Sequence, residues 1–318
     1  MVHRISLLLL GDSRDRVLYG QTVGILCTGE RGGCQGQSRA NGSHTTAKHC
    51  YSWQWAAPAR FPIHSNWQSA GGALCTRASS HLAAFGYMLI YGVSSEGPYL
   101  HDWETHGHKG WAGSGWMDGE DGSSTTPRVD SASLAVEAAW RFATRAPVDS
   151  KVCIVFSSLL WDLGRRVEHF PRQSMDAWSE QWKSNYTSIV TRLTNRLAES
   201  RRDGNVMLAL STPYDPPSEW KYFERHNATR KRTDLVAAHV RRVATERSGL
   251  SLIDWQADFR AAMRLNASAK PLTDYYAHPT REGVTLAFGA LSRGVGLPDW
   301  TQERLRLCFA DGGACWRV

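Results

Sequence analysis

Residues 5–13 read ISLLLLGDS, and they carry the clearest signal of the fold. The apolar run from Ile5 to Leu10 ends at a glycine, as expected for a parallel strand that is buried on both faces. Residues 14–26 then have the apolar spacing of a helix. A strand that turns directly into a helix is typical of the parallel sheet of an α/β protein.

The rest of the chain repeats this alternation of strand and helix. Short apolar segments predict further strands at Phe85–Val93, Val152–Phe156, Val206–Leu210 and Leu250–Ile253. Helical spacing predicts helices at Ser131–Arg145, Ser174–Arg202, Arg230–Arg247, Gln256–Leu265 and Glu282–Ser292. The chain has 318 residues, of which 42% are hydrophobic, and this is enough for one large domain. We therefore expect a three-layer α/β/α sandwich around a central parallel sheet over residues 1–300, followed by a tail at 301–318.

Two segments, residues 28–80 and 94–128, are rich in Gly, Ser and Trp and lack a sustained period, which predicts long loop insertions. Six of the seven cysteines lie in irregular segments, at Cys27, Cys34, Cys50, Cys75, Cys308 and Cys315. We expect three disulfides, and fifteen pairings stay open. Cys308 and Cys315 bracket a short loop in the tail. Cys153 lies in an apolar run and is predicted to be a free, buried thiol.

Four N-x-S/T sequons accompany these cysteines, at Asn41, Asn185, Asn227 and Asn266. Together they favour a protein of the secretory-pathway lumen or a secreted one. The segment from Met1 to Leu10 lacks the cleavage site of a signal peptide and is interpreted as the first strand. Either a signal or anchor precedes this sequence in the full protein, or the chain is cytoplasmic and the sequons are accidental.

The net charge of +7 is spread over several short basic clusters in segments that are predicted to be helical. Solvated helix faces explain such clusters, so no nucleic-acid partner is expected. No apolar run reaches the roughly 18 residues that a membrane span requires, so no span is expected in this chain. The oligomeric state stays open.

The first strand is followed by Gly11-Asp12-Ser13, a serine at a strand-to-helix turn. Such a serine lies at the sheet edge, and the N-terminus of the next helix favours negative charge there, as a nucleophile requires. Before the last predicted helix, Asp274 and His278 stand in one loop. His278 is suited to take the serine proton and Asp274 to orient the imidazole.

These blocks resemble the GDSL (SGNH) hydrolase superfamily. The form Gly-Asp-Ser-x-x-Arg, with Arg16 three places after Ser13, is similar to the PC-esterase branch, which contains trichome-birefringence-like polysaccharide O-acetyltransferases. The segments Val155–Leu163 and Leu252–Trp255 resemble two further blocks of that branch. The resemblance covers the architecture from Ile5 to about Arg293, although only these short blocks are diagnostic. It implies a flavodoxin-like sandwich of the SGNH type.

The resemblance also implies roles for individual residues. Ser13 becomes the nucleophile, His278 the general base and Asp274 its orienting partner. The oxyanion and substrate-binding residues are Gly92, with Gly71 or Gly72 as alternatives for it, Trp161 and Arg16. Two departures from the family pattern weigh on these roles: Asp274 stands four residues before His278 where the family has three, and Trp161 occupies the place of an oxyanion-binding asparagine.

The predicted activity is that of a serine esterase or deacetylase that acts on acyl esters, of a glycan or glycoconjugate, through an acyl-Ser13 intermediate. The first alternative is a polysaccharide O-acetyltransferase with the same site. The second is a catalytically inactive glycan-binding protein of the same fold, which the spacing of Asp274 and His278 and the presence of Trp161 favour. No cofactor or metal is expected, although the His101–His108 segment holds five potential metal ligands.

The chain contains 14 tryptophans, more than its 10 tyrosines or 9 phenylalanines. Most of them fall in the two insertions and in the region of Trp161, Trp178 and Trp182, near predicted strand ends. Aromatic rings stack on the apolar faces of sugars, so we expect these tryptophans to line a cleft for a sugar ester. Trp140 and Trp255 lie on regular elements and are expected in the core.

Overall fold

The computed structural model describes residues 4–11, 15, 18, 50–52, 70–75, 82–90, 92–93, 131–157, 162–163, 173–210, 230–265 and 281–296. Within these residues seven strands form one sheet: β1 Arg4–Gly11, β2 Cys50–Ser52, β3 Ala70–Cys75, β4 Leu82–Leu89, β5 Ser150–Phe156, β6 Gly204–Leu210 and β7 Leu250–Asp254. The helices in the same residues are α1 Ser131–Arg145, α2 Met175–Glu199, α3 Arg230–Glu246, α4 Trp255–Leu265 and α5 Arg281–Val295. The sheet order is β2-β3-β4-β1-β5-β6-β7.

Strand β1 is the middle strand of the seven, and β4, β1, β5, β6 and β7 are parallel to one another. Leu7, for example, stands between Phe85 on one side and Cys153 on the other. Every residue of β1 from Ile5 to Gly11 is buried, which requires cover on both faces of the sheet. The predicted α/β fold with a central parallel sheet is confirmed.

Helices α2 and α5 provide this cover from opposite sides. The Phe156 ring packs on Tyr186 of α2, with the centroids 5.3 Å apart. The next register position along β5 and β6 pairs Val155 with Met207, whose side chain approaches α5 at Gly294. Because successive residues of a strand point to opposite faces, α2 and α5 lie on opposite faces of the sheet. The three predicted layers are therefore present.

The prediction that residues 28–80 form only a loop is wrong, because this segment supplies two strands to the sheet. Strand β3 pairs antiparallel with β4, from Ala70 opposite Met88 to Leu74 opposite Ala84, and β2 pairs antiparallel with β3. The β3 sequence AGGALC has no alternation of polar and apolar residues, and glycine is depleted in strands. Its pairing with β4 is what makes it a strand, and local sequence carries no signal of that pairing.

The predicted helices are confirmed with small shifts at their ends. Helix α2 begins after Ser174, whose Oγ accepts a hydrogen bond from the Ala177 backbone N–H at 3.2 Å. It ends at Glu199 and not at Arg202, because Arg201 has a positive φ of 54° and cannot continue the helix. Of the helix predicted over residues 14–26, Asp15 and Leu18 are described, and both are helical. The insertion at 94–128 and the tail at 301–318, with Cys308 and Cys315, lie outside the described residues.

Candidate functional site

The strand order identifies the edge of the sheet where chemistry is expected. Numbered along the chain, the parallel strands follow the order 2-1-3-4-5 of flavodoxin-like sheets. The next parallel strand along the chain, β4, lies on one side of β1, and the one after it, β5, lies on the other side. In open α/β sheets ligands bind at the carboxyl ends of the strands on either side of such a reversal. The candidate site therefore lies where β1 and β5 end.

Most of the predicted site residues lie outside the described residues: Ser13, Arg16, Trp161, Asp274 and His278. Their distances in sequence from described elements are nevertheless known. Ser13 comes two residues after the end of β1, and Trp161 directly precedes Asp162. Asp274 and His278 come shortly before α5 begins at Arg281. The catalytic roles of these residues stay predictions.

The ends of the three central strands are joined by backbone hydrogen bonds. Ile90, just after β4, donates its backbone N–H to the Gly11 carbonyl at 2.7 Å. Ser157, just after β5, donates its backbone N–H to the Leu10 carbonyl at 2.8 Å. The ends of β4, β1 and β5 therefore lie side by side. Residues after each of these strands are placed to share one site.

The turn after β1 depends on a glycine at position 11. A Cβ added at Gly11 would overlap the carboxylate of Asp15, which folds back onto this glycine. Asp15 is only 2% exposed, which is unusual for a charged residue. No role for Asp15 was predicted from the sequence, although its place one helical turn after the strand-ending glycine is visible there. Gly11 and Asp15 therefore approach each other closely at the end of β1.

The turn after β4, Gly92–Val93, is the second described part of the site. Gly92 is buried and has a φ of 142°, a backbone conformation that residues with a side chain rarely adopt. The alternative glycines, Gly71 and Gly72, lie inside β3 opposite Tyr87 and Gly86. Gly92 is thus the one of the three that follows a parallel strand. Its role as an oxyanion donor stays a prediction.

A buried aspartate connects this turn to the segment after β5. Asp162 is fully buried, and its Oδ1 accepts a hydrogen bond from the Val93 backbone N–H at 2.9 Å. Its Oδ2 accepts a second hydrogen bond from Nε1 of Trp182, also at 2.9 Å. Asp162 lies within the segment Val155–Leu163 that resembles a family block, and no role was predicted for it. Nothing local in the sequence indicates these partners, which stand 69 and 20 residues away.

The expectation that Trp178 and Trp182 line the cleft is wrong. Their exposed fractions are 4% and 3%, and they form part of the core beside Tyr186. Helix α2 turns this face towards the sheet, so their rings are not available to a sugar. Trp255 is confirmed as a core residue, because it is 2% exposed and its Nε1 donates to the Ala287 carbonyl. Trp140 is half-buried, and the guanidinium of Arg196 lies over its ring.

Two other titratable side chains in the described residues are buried away from this edge. Cys153 is a free thiol in β5, as predicted, and burial raises its pKa to about 11. His239 on α3 lies edge-on to Trp182 at 5.9 Å. Burial, followed by the charge of Arg242, lowers its pKa. His239 is therefore neutral near pH 7, and it belongs to the packing between α2 and α3.

The described residues also bear on the predicted compartment and ligands. Asn185 lies half-buried within α2, so this sequon lacks the loop setting in which such sites are usually found. The other three sequons and the His101–His108 segment lie outside the described residues. In the part of the chain that the structure covers, no three His, Cys, Asp or Glu side chains cluster as metal ligands, and no helix is long and apolar enough to span a bilayer.

Comparison with known proteins gives similarity in overall structure and none in sequence. No family model and no curated protein matches this chain. A protein described as a GDSL-like lipase from Parabacteroides merdae aligns with a TM-score of 0.45 and 12% identity, over 93% of this chain and 97% of its own. A catalytic mutant of an acetylxylan esterase from Geobacillus stearothermophilus aligns with a TM-score of 0.40 and 12% identity, over 94% and 98%.

An α/β hydrolase from the metagenome of Lake Arreo, Spain, aligns with a TM-score of 0.39 and 16% identity, over 93% of this chain and 98% of its own. Alignments of this quality transfer no residue role. The class of this protein is therefore defined by its own sheet: an α/β fold with five parallel strands between helical layers.

Proposed function

We propose that this chain is a serine esterase that acts through an acyl-Ser13 intermediate. One observation carries the proposal: Gly11-Asp12-Ser13 follows the central strand of the sheet, at the reversal of strand order where such folds bind ligands. Asp15, two residues further on, is helical, so we expect Ser13 at the start of a helix, which favours the negative charge that develops on a substrate oxygen.

The proposed reaction uses three side chains. Ser13 Oγ attacks the ester carbonyl carbon while His278 takes the hydroxyl proton, and Asp274 orients the imidazole. The backbone N–H groups of Ser13 and Gly92 stabilise the oxyanion. When the intermediate collapses, the ester C–O bond breaks and His278 gives its proton to the leaving alcohol. Water then attacks the acyl-serine by the same steps and releases the acid.

The substrate class that we propose is an acyl ester of a glycan or glycoconjugate, with Arg16 and Trp161 among the binding residues. Support comes from the resemblance of Gly-Asp-Ser-x-x-Arg to the sugar-active PC-esterase branch and from six tryptophans within residues 53–116. These rings offer stacking surfaces for sugars. A sugar hydroxyl in place of water would make the same site an O-acetyltransferase.

The proposed compartment is the secretory-pathway lumen or the extracellular space, with cytoplasmic location as the alternative. Support comes from six cysteines in segments of irregular sequence and from the sequons at Asn41, Asn227 and Asn266. Three disulfides are proposed for these cysteines. Mass measurement without reduction tests this, since seven free thiols would contradict it.

A fluorophosphonate probe tests the nucleophile. We expect the wild-type protein to be labelled, on the Ser13 peptide, and Ser13→Ala to show at least about a hundredfold less labelling, because the proposed mechanism pairs only Ser13 with an activating histidine. Ser157→Ala is the matched control, since Ser157 is buried beside the same strand end. Equal labelling of wild type and Ser13→Ala would refute the assignment.

Hydrolysis and transfer are separated with p-nitrophenyl acetate. We expect release of p-nitrophenol that does not depend on an added oligosaccharide acceptor. Release that needs the acceptor, with acetate found on the sugar, would favour the transferase. An unlabelled and inactive wild-type protein that still binds oligosaccharide would favour the non-catalytic glycan-binding alternative.

A further inference from the structure

The buried carboxylate of Asp162 joins three parts of the molecule that are far apart in sequence. It follows β5, it binds the Val93 backbone N–H after β4, and it binds the indole of Trp182 on α2. Each carboxylate oxygen accepts one of these N–H groups at 2.9 Å. The side chain of Asp162 therefore ties the turn after β4 to the segment after β5 and to α2.

Burying a carboxylate is unfavourable, because the charge loses its hydration. Apolar residues of similar volume often replace buried charges without loss of stability. A contribution to the free energy of unfolding therefore explains poorly why a fully buried aspartate stands at this position. Its location, at the strand ends that flank β1, suggests a role in the geometry of the site.

The hydrogen bond to Val93 acts directly on the glycine that precedes it. The Val93 N–H and the Gly92 carbonyl belong to the same peptide plane, so holding the N–H holds that plane. Gly92, with a φ of 142°, has more backbone freedom than any other residue type would have there. Without an anchor, this turn can adopt several conformations, and the Gly92 N–H would change direction with them.

The anchor itself is rigid because Trp182 is held by other rings. The Trp182 and Tyr186 rings stack with their centroids 4.9 Å apart. The Trp178 ring also stacks against Trp182, with the two centroids 6.5 Å apart. All three side chains are buried on the face of α2 that packs against the core. Through its two hydrogen bonds, Asp162 thus holds the turn after β4 in a fixed position relative to α2.

We propose that Asp162 is a positioning residue for the oxyanion site, which it serves by fixing the Gly92–Val93 turn with Trp182 as its anchor. The inference rests on the proposed function for its chemistry. Donors to an oxyanion act only when they are held in place before the reaction, so a turn that moves loses most of its effect. Asp162 does not touch the substrate in this scheme.

Two substitutions test the proposal in the full chain. Asp162→Asn keeps the size of the side chain, but its amide NH2 faces one of the two N–H donors, so one hydrogen bond is lost. Trp182→Phe keeps an aromatic ring and removes the donor to Oδ2, but it also leaves a cavity in the core, so its effect is compared with that of a second core substitution. Ile189→Val, on the same buried face of α2, lowers stability without touching Asp162 and serves as the matched control.

We expect Asp162→Asn to lower kcat for p-nitrophenyl acetate by about 10- to 100-fold, with KM changed less than about threefold, because an oxyanion donor acts mainly in the transition state. Trp182→Phe should lower kcat by a smaller factor. Amide hydrogen exchange at Val93 should be faster in Asp162→Asn than in Ile189→Val at equal global stability.

Two results would overturn the positioning role in an active protein: a kcat of Asp162→Asn that falls no further than that of Ile189→Val, or Val93 exchange that the substitution leaves unchanged. An inactive wild-type protein would refute the proposed function instead. The Val93 exchange measurement would then decide separately whether Asp162 fixes the turn, since that measurement needs no turnover.

Discussion

Single residues in this protein have roles that depend on partners far along the chain. Gly11 is needed because Asp15 folds against it, and Gly92 because its φ is positive. The strand-ending Gly11 is readable from sequence, since an apolar run ends there. The partners of Asp162 are not readable, because a hydrogen bond to a backbone N–H 69 residues away leaves no local pattern.

Cys153 provides a prediction about pH and stability. Burial raises the pKa of its thiol from the ordinary value of 9.0 to about 11, so the unfolded chain releases this proton first as the pH rises. The unfolded state then binds fewer protons than the folded state, and the free energy of unfolding falls between about pH 9 and pH 11. Cys153→Ala removes this contribution.

We therefore expect the stability difference between wild type and Cys153→Ala to shrink by about 2 kcal/mol between pH 8 and pH 10.5. Guanidinium unfolding at the two pH values measures it. Tyr186, whose pKa burial also raises, ionises in both proteins and cancels in the comparison. A difference that is constant with pH would contradict the prediction.

At the scale of elements, helices were easier to predict than edge strands. Helix α1 has the predicted bounds Ser131–Arg145, because its apolar face repeats with helical spacing over four turns. Strand β3 was missed, because Gly71 and Gly72 give it no period. Trp178 and Trp182 were correctly predicted to lie on a helix, but they were wrongly expected to line the cleft. Their spacing in the sequence does not reveal which face of the helix packs against the sheet.

The β2–β3 ladder predicts one disulfide. Cys50 and Cys75 occupy directly opposite positions in this antiparallel pair. Opposite positions have Cα atoms about 4.5–5.5 Å apart, within the range of about 4.4–6.8 Å that a disulfide requires. We expect the two thiols to form a disulfide by exchange with a protein or small-molecule disulfide, which takes up their two electrons and two protons and is released as two thiols.

Peptide mapping of the protein without reduction should find the Cys50 and Cys75 peptides joined. When the unfolded proteins are alkylated without reduction, we expect Cys75 to be modified in Cys50→Ser and not in the wild type, while Cys153 is modified in both and serves as an internal control. One fixed pair would leave three arrangements for the remaining four cysteines instead of fifteen for six. A link from Cys75 to any other cysteine would contradict the register argument.

At the scale of the molecule, the described core is continuous from α1 to α5 through one sheet. The sequence predicted this layered arrangement because buried parallel strands are wholly apolar and their helices are amphipathic. It did not predict that two antiparallel strands extend the sheet beyond β4. Pairing between distant segments depends on the whole chain, and local propensity does not encode it.

A continuous core predicts cooperative unfolding. We expect far-ultraviolet circular dichroism, which reports helices and sheet, and tryptophan fluorescence, which reports buried rings such as Trp182 and Trp255, to give the same guanidinium midpoint. Midpoints that differ by more than the fitting error would show that part of the chain unfolds separately. That result would contradict a single domain over residues 1–300.

The central position of β1 also has a consequence for synthesis on the ribosome. Its segment emerges long before either of its neighbours, β4 at residues 82–89 and β5 at residues 150–156. Translation adds roughly 5–20 residues each second, so this very apolar strand waits for several seconds with both edges unpaired. Unpaired apolar edges are prone to aggregate. Nascent chains whose β5 has not yet left the exit tunnel should therefore depend on chaperones for solubility, and the dependence should fall once β5 has emerged.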